Sequence, residues 1–163
     1  MSQLPSNGTE RVDAAEKTIS ASPQVIFEAL TTRSAVAEWL PPLGSSGEIL
    51  EFDPRPGGPF KMILTFANKR ADGKTTGNTD TINAHFAKIK TNELVEQAIE
   101  FASDDPAYEG TMTMRWMLHP AGAGGTLVRV EARDVPEGID PKEHANGLKS
   151  SLDNLEEYLL AAR

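Results

Sequence analysis

The C-terminal segment DPKEHANGLKSSLDNLEEYLLAAR, which begins at Asp140, constrains the fold more than any other part of the chain. Its leucines recur three and four positions apart, which places them on one side of an α-helix with charged residues opposite. Asp140 can cap the helix, Pro141 suits its first position, and Glu143 can reach back to the cap. The pattern predicts a long helix whose apolar stripe, including Leu148 and Leu152, needs another apolar surface to cover it.

The middle of the chain, from Gly47 to Arg133, has the pattern of an antiparallel meander, in which short apolar segments alternate with turn signals. Successive side chains of a strand point to opposite faces of the sheet, so the alternation predicts one dry face. Its predicted members are Phe60, Met62, Leu64, Phe66, Met112, Met114, Trp116, Leu118, Val128, Val130 and Ala132. The segment from Thr79 to Ile89 fits neither parity throughout, and we expect a β-bulge there.

Between residues 11–20, which alternate as a strand, and the meander, the sequence predicts two short helices. Ser22 can cap a helix whose first residue is Pro23. Thr32 can cap a second helix, which Pro41 ends. The predicted fold class is therefore α+β: a curved antiparallel sheet of about six or seven strands around a long C-terminal helix, with two short helices after the first strand.

Composition limits the kinds of partner that we expect. The chain has 163 residues and a formal net charge of −8, whereas nucleic acids and anionic membranes are bound through clustered positive charge, so neither is an expected partner. The absence of cysteine excludes disulfides and thiolate ligands. Residues 1–10 lack the apolar core of a secretory signal, so we expect a flexible leader before a single cytoplasmic domain, residues 11–163.

The stretch DPRPGGPFKM admits two interpretations. Its glycine N–H groups, beside Arg55 and Lys61, could hold an anion such as phosphate. A phosphate cradle needs consecutive free N–H groups, usually at a helix start, whereas Pro59 has none and a strand-like segment follows it. We therefore predict a turn that leads into a strand, with Arg55 as a surface charge.

Several segments carry a resemblance to a known family. They are, in chain order, ISASPQVIFEALTTRSAVAEWL, DPRPGGPFKM, IKTNELV, GGTLVRVEA and GLKSSLDNLEEYL. In this order they resemble the SRPBCC or START-like superfamily (helix-grip, Bet v 1-like) and, within it, the family of activator of heat-shock-protein-90 ATPase homologues, over Val12 to Leu160. Two positions depart from the family pattern, because Leu148 stands where tryptophan is frequent and Pro59 where a basic residue is common.

The resemblance implies an apolar space between the sheet and the long helix. Our first hypothesis is a protein without enzymatic activity or cofactor that binds a small hydrophobic molecule, a lipid or an aromatic metabolite, in a pocket of about 300–1,000 Å³. Methionines adapt to irregular ligands, although ordinary core packing also explains them. The candidate lining residues are Trp39, Phe60, Met62, Leu64, His85, Met112, Met114, Trp116, Leu148 and Leu152.

Titratable and nucleophilic side chains offer little catalytic chemistry. His85, His119 and His144 lack the spacing of a metal site, and we expect His119 and His144 to be solvated. His85 would be the polar group of the pocket if the bulge turns it inward; otherwise it points outward. Ser150 and Ser151 lack a nucleophile elbow and are expected to fill contacts between helix and sheet.

Two other functions stay open. The resemblance implies a co-chaperone role in the stress response, in which the acidic surface of a protein-interaction module would meet heat-shock protein 90. Some START-like relatives are cyclases or dehydratases, and in that case His85 would supply acid–base chemistry. A monomer and a homodimer are both compatible with the sequence.

Overall fold

The computed structural model describes residues 11–42, 44–66, 79–101 and 110–161, so the predicted leader, residues 1–10, lies outside the described residues. The elements, in chain order, are β1 (Val12–Ile19), α1 (Pro23–Thr31), α2 (Arg33–Trp39), β2 (Ser45–Phe52), β3 (Pro59–Phe66), β4 (Thr79–Lys90), β5 (Leu94–Phe101), β6 (Gly110–Pro120), β7 (Thr126–Arg133) and α3 (Pro141–Ala161). None of the helices within the described ranges is long and apolar enough to cross a membrane.

The strands form one seven-stranded sheet in the order β1-β7-β6-β5-β4-β3-β2, and all neighbouring pairs are antiparallel. From β2 to β7 each strand pairs with the next one in the sequence, which is the predicted meander. β1 joins the far edge of the sheet beside β7. Together with two short helices after β1 and the long helix α3, this arrangement confirms the predicted α+β helix-grip fold.

Helices α1 and α3 begin with the predicted capping contacts. The Ser22 hydroxyl accepts a hydrogen bond from the backbone N–H of Val25 at 3.2 Å. The Asp140 carboxylate accepts one from the backbone N–H of Glu143 at 2.9 Å. Thr32 occupies the N-cap position of α2 as predicted, but its side chain makes no capping hydrogen bond.

The predicted dry face of the sheet forms the core. Apolar side chains oppose one another across neighbouring strands, as in the pairs Met62 with Ile82 and Trp116 with Val130. The buried residues of α3 join the same cluster; they are Leu148, Leu152, Leu155 and Leu159. The apolar stripe of α3 therefore covers the dry face, as its spacing predicts.

The expected bulge in β4 lies between Phe86 and Lys88, where the register with β5 shifts. Phe86 is fully buried before the bulge, and Ile89, opposite the buried Val95, packs against the core after it. A regular strand could not turn both side chains inward, because three positions separate them. The bulge thus explains why neither parity fits the whole segment.

The stretch DPRPGG is a turn, and the phosphate-cradle interpretation is wrong. The N–H of Gly57 donates to the carbonyl of Phe86 at 2.7 Å, and the N–H of Gly58 donates to the carbonyl of Arg55 at 2.7 Å. Both N–H groups are therefore used within the protein. The Arg55 guanidinium lies at the surface, 2.8 Å from the Asp53 carboxylate, as expected for a surface charge.

β1 is joined to α3 by an ion pair on the inner side of the sheet. The Lys17 ammonium lies 2.8 Å from the Asp153 carboxylate and 3.1 Å from that of Glu156. The hydrogen bonds that the Lys17 ammonium donates, first to Asp153 and then to Glu156, raise the pKa of Lys17. The charged side of α3 is therefore fixed to the edge of the sheet.

Candidate functional site

A cavity of about 150 Å³ lies between the inner face of the sheet and the three helices. The residues that line it are Leu30, Val36, Trp39, Leu40, Phe60, Ile82, Gln97, Ile99, Met114, Trp116 and Ser151. The cavity is smaller than the expected range of about 300–1,000 Å³. Its volume is that of an apolar protein cavity that holds one benzene molecule, about 150 Å³.

Two tryptophans form one wall of the cavity. The rings of Trp39 and Trp116 meet edge to face, with their centroids 5.4 Å apart and their planes at 79°. The indole N–H of Trp39 donates to the carbonyl of Ala29 at 2.9 Å, a buried bond that ties α2 to α1. Because an indole has a single donor, Trp39 presents only apolar surface to a ligand.

The sequence candidates divide between the cavity and the core around it. Those that line the cavity are Trp39, Phe60, Met114 and Trp116. Those that are buried in the surrounding core are Met62, Leu64, Met112, Leu148 and Leu152. The space between the sheet and α3 is thus partly filled by side chains, and the part that stays open is the part beside α2.

His85 lies on the outer face of the sheet. It pairs with Pro59 of β3 and Ala98 of β5, whereas its neighbour Ala84 pairs with Phe60 on the inner face. The bulge comes after His85 in the sequence and does not change its orientation. The hypothesis that a bulge turns His85 into the pocket is therefore wrong.

Gln97, a polar side chain on the inner face, is not among the lining residues that the sequence predicts. Its direct cross-strand partners are Phe86 of β4 and Met114 of β6. Among the described residues, the half-buried Gln97 side-chain amide has no hydrogen-bond partner. The alternation of LVEQAIEF contains the signal, because Gln97 shares its parity with Val95 and Ile99.

Ser151 contributes the other polar group of the cavity wall. Its hydroxyl donates to the carbonyl of Gly147, one turn earlier in α3, at 3.2 Å. The hydroxyl proton is therefore used, whereas the oxygen lone pairs can still accept a hydrogen bond. No lining residue within the described ranges is titratable, so the cavity wall is neutral.

A charged cluster lies outside the cavity lining, between β1 and the first turn of α3. The Asp13 carboxylate is 2.8 Å from Nη2 of Arg11 and 2.7 Å from Nδ1 of His144. His144 is largely buried, with 17% of its side chain exposed, so the expectation that it is solvated is wrong. Burial alone would raise the pKa of Asp13, but the hydrogen bonds from Arg11 and His144 outweigh it and lower the pKa. No cluster of His, Asp and Glu within the described ranges could hold a metal ion.

Comparison with known proteins gives one family and many similar folds. The family described as activator of Hsp90 ATPase homolog 1-like protein matches residues 20–160. A crystal structure of a protein from Chromobacterium violaceum is 26% identical, with a TM-score of 0.75, and the match covers 90% of this chain and 94% of that one. No curated protein matches the chain significantly.

Two further solved structures carry family names. The AHSA1 protein from Silicibacter pomeroyi is 15% identical with a TM-score of 0.74, and the match covers 94% of this chain and all 100% of that one. The Aha1 dimer from Colwellia psychrerythraea is 20% identical with a TM-score of 0.65, and the match covers 90% of this chain and 94% of that one. At these identities the likeness shows a shared fold.

Proposed function

Because the chain belongs to the family of activator of Hsp90 ATPase homolog 1-like proteins, and because its described residues surround an apolar cavity, we propose that it binds a small hydrophobic molecule there without transforming it. The observation that carries this proposal is the open volume of about 150 Å³. Protein interiors are packed like organic crystals, and an unfilled space sacrifices dispersion contacts along its walls. An apolar cavity with few polar groups is the usual form of a small-molecule site.

The cavity volume restricts the size of the ligand. About 150 Å³ accommodates a single ring or a short branched chain. A complete lipid, one of the two expected ligand classes, is too large for this cavity, and only a fragment of one would fit. The smallest ligands gain at most about 1.5 kcal/mol per non-hydrogen atom. For a compound of about eight such atoms we expect dissociation constants between about 1 mM and 1 µM.

The neutral wall favours binding over catalysis. A cyclase or a dehydratase needs a proton donor or acceptor within hydrogen-bond reach of the reacting atoms. The described lining offers only the amide of Gln97 and the hydroxyl of Ser151, and His85 lies on the other face of the sheet. Our proposal therefore leaves His85 without a catalytic role.

The test is a titration with toluene followed by protein NMR, with the indole signals of Trp39 and Trp116 as reporters. In the variant Ile99→Phe, a larger side chain on the cavity wall fills part of the cavity, so saturable toluene binding should disappear. Ile63→Phe is the matched control, because Ile63 pairs with Thr81 on the outer face. Thermal unfolding of both variants verifies that they fold.

Two results would contradict the proposal. One is the absence of saturable shifts in the wild-type protein with toluene, benzene, indole and phenol up to their solubility limits. The other is undiminished toluene binding in a folded Ile99→Phe variant, because the ligand would then occupy a different place.

Family membership favours a second candidate function, that of a protein-interaction module at heat-shock protein 90. This proposal includes a cytoplasmic location and a part in the stress response. The net charge of −8 would steer the protein toward a basic surface of the partner. An ATPase assay with the cognate chaperone tests it, and unchanged turnover together with no co-elution would exclude it. Light scattering of the same sample distinguishes a monomer from a homodimer.

A further inference from the structure

We infer that Gln97 selects the ligand of the cavity, and that this ligand is a neutral single-ring compound with a hydroxyl or amide group. The inference rests on the proposed function, because it specifies the chemistry of the same site. It starts from one feature: a polar side chain without a protein partner in a largely apolar wall.

The fold fixes Gln97 at the cavity. Its strand lies in the middle of the meander, and its direct cross-strand neighbours are the buried side chains of Phe86 and Met114. Gln97 is half-buried, and only a register shift, which would move every neighbouring side chain as well, could place it on the outer face of the sheet. The amide therefore stays on the cavity side of the sheet.

The unpaired amide makes the cavity discriminate between ligands. A primary amide offers two donors and one carbonyl acceptor. A ligand that displaces water without replacing its hydrogen bonds leaves these groups unsatisfied, which costs binding free energy. A ring that carries a hydroxyl or an amide restores at least one of the bonds, so it is favoured relative to a hydrocarbon of the same shape.

The other polar groups at the cavity are less able than Gln97 to form hydrogen bonds with a ligand. The indole N–H of Trp39 is used by the carbonyl of Ala29, and the Ser151 hydroxyl proton is used by the carbonyl of Gly147. Among the described polar side chains of the wall, Gln97 is thus the one that offers both free donors and a free acceptor, whereas the unpaired indole N–H of Trp116 is a donor only. Ser151 can add an acceptor for a ligand hydroxyl.

The ligand is neutral because the wall holds no counter-charge. None of the described lining residues is acidic or basic. Transfer of an ionised carboxylate or ammonium group into such a cavity has a large desolvation cost that no partner offsets. Benzoate and benzylammonium should therefore be rejected, whereas phenol and similar neutral compounds fit.

The experiment measures dissociation constants for phenol and toluene, which have nearly the same shape. Gln97→Met keeps the length of the side chain and removes its hydrogen-bonding groups. We expect the variant to bind phenol about tenfold more weakly, the effect of one lost hydrogen bond, and to bind toluene as well as the wild type or better. The matched control is Gln24→Met at an exposed position of α1, where neither constant should change.

The outcomes separate the two proposals. If Gln97→Met weakens phenol and toluene equally, or if Ser151→Ala removes the preference while Gln97→Met keeps it, the selectivity inference is wrong and the proposed function stands. The same holds if benzoate binds as tightly as phenol. If neither phenol nor toluene binds to the wild-type protein, both proposals are wrong. Toluene binding that persists in Gln97→Met shows that the variant is folded.

Discussion

Asp13 Oδ2 lies 2.7 Å from Nδ1 of His144, and this contact joins the edge strand β1 to the first turn of α3. An ionised carboxylate can only accept hydrogen bonds, so Nδ1 carries the proton and donates it. The side chain of Asp13 is only 5% exposed, which shields the contact from water. The start of the helix that closes the cavity is thus held by a buried charge.

Asp13→Asn should reduce the free energy of unfolding by about 2–3 kcal/mol at pH 7, because it weakens charge-assisted bonds to Arg11 and His144. The pKa of Asp13 is lowered in the folded state, so its contribution is present above the unfolded pKa of about 3.9 and is lost as pH falls through the folded value. Urea unfolding at several pH values checks this, and the difference between wild type and variant should shrink below about pH 4.

The matched control for that series is Asp153→Asn. Its carboxylate is 46% exposed and pairs with Lys17, and exposed ion pairs contribute at most about 1 kcal/mol. The claim that ionised Asp13 stabilises the fold would be contradicted if Asp13→Asn lowered the free energy of unfolding equally at pH 3 and pH 7. It would also be contradicted if Asp13→Asn and Asp153→Asn lowered it equally at pH 7.

Gly58→Ala should destabilise the protein by more than about 2 kcal/mol. A Cβ at Gly58 would lie 1.9 Å from the carbonyl oxygen of Asp53, so the turn would have to open. Gly57 has a φ of +85° and open space around its Cβ position, and Gly57→Ala should cost about 1 kcal/mol from its backbone conformation alone. Chemical denaturation measures both, and a larger loss for Gly57→Ala would show that the close approach at Gly58 is not rigid.

Gly147→Ala should stabilise the protein by about 0.5–1 kcal/mol. Gly147 is exposed within α3, and nothing lies within 4 Å of the position that its Cβ would take. Alanine restricts the unfolded chain and suits a helix better than glycine. The melting temperature should rise. Toluene affinity should stay constant, because Ser151 bonds to the backbone carbonyl of residue 147; a lower melting temperature would contradict this prediction.

Trp39→Phe should reduce the free energy of unfolding by about 1–3 kcal/mol, because the buried carbonyl of Ala29 loses its indole donor. The lost ring contacts add to this reduction. Trp116→Phe is the comparison, because it removes the same ring atoms from the same aromatic pair, and the Trp116 indole N–H has no hydrogen-bond partner within the described ranges. Denaturation of the two variants should show the larger loss for Trp39→Phe. Equal losses would mean that the bond to Ala29 contributes nothing measurable.

The sequence was sufficient for the sheet because alternation is a local signal. Pairs such as Trp116 and Val130 need only the correct parity of each strand, and the conflict of parity around Phe86 and Ile89 correctly indicated a bulge. The size of the cavity is not a local property. It depends on how far side chains such as Met62 fill the space between sheet and helix, which no single strand encodes.

The polar contacts between β1 and α3 could not be predicted from the sequence, for a related reason. Asp13 and Lys17 point toward α3, where an apolar side chain would be expected, because the helix supplies matching partners. Lys17 and Asp153 are 136 positions apart in the sequence. The sequence therefore predicts a solvated His144, since its neighbours in the sequence give no sign of a carboxylate from another strand.

The place of β1 beside β7 also affects how the chain folds during synthesis. The hydroxyl of Thr126 donates to the carbonyl of Ala21, a residue made 105 positions earlier. β1 leaves the ribosome long before its neighbour exists, and contacts so distant in sequence carry a large loop-closure cost. We expect β1 to dock last, and until it does, its backbone N–H and carbonyl groups are available for pairing with another nascent chain.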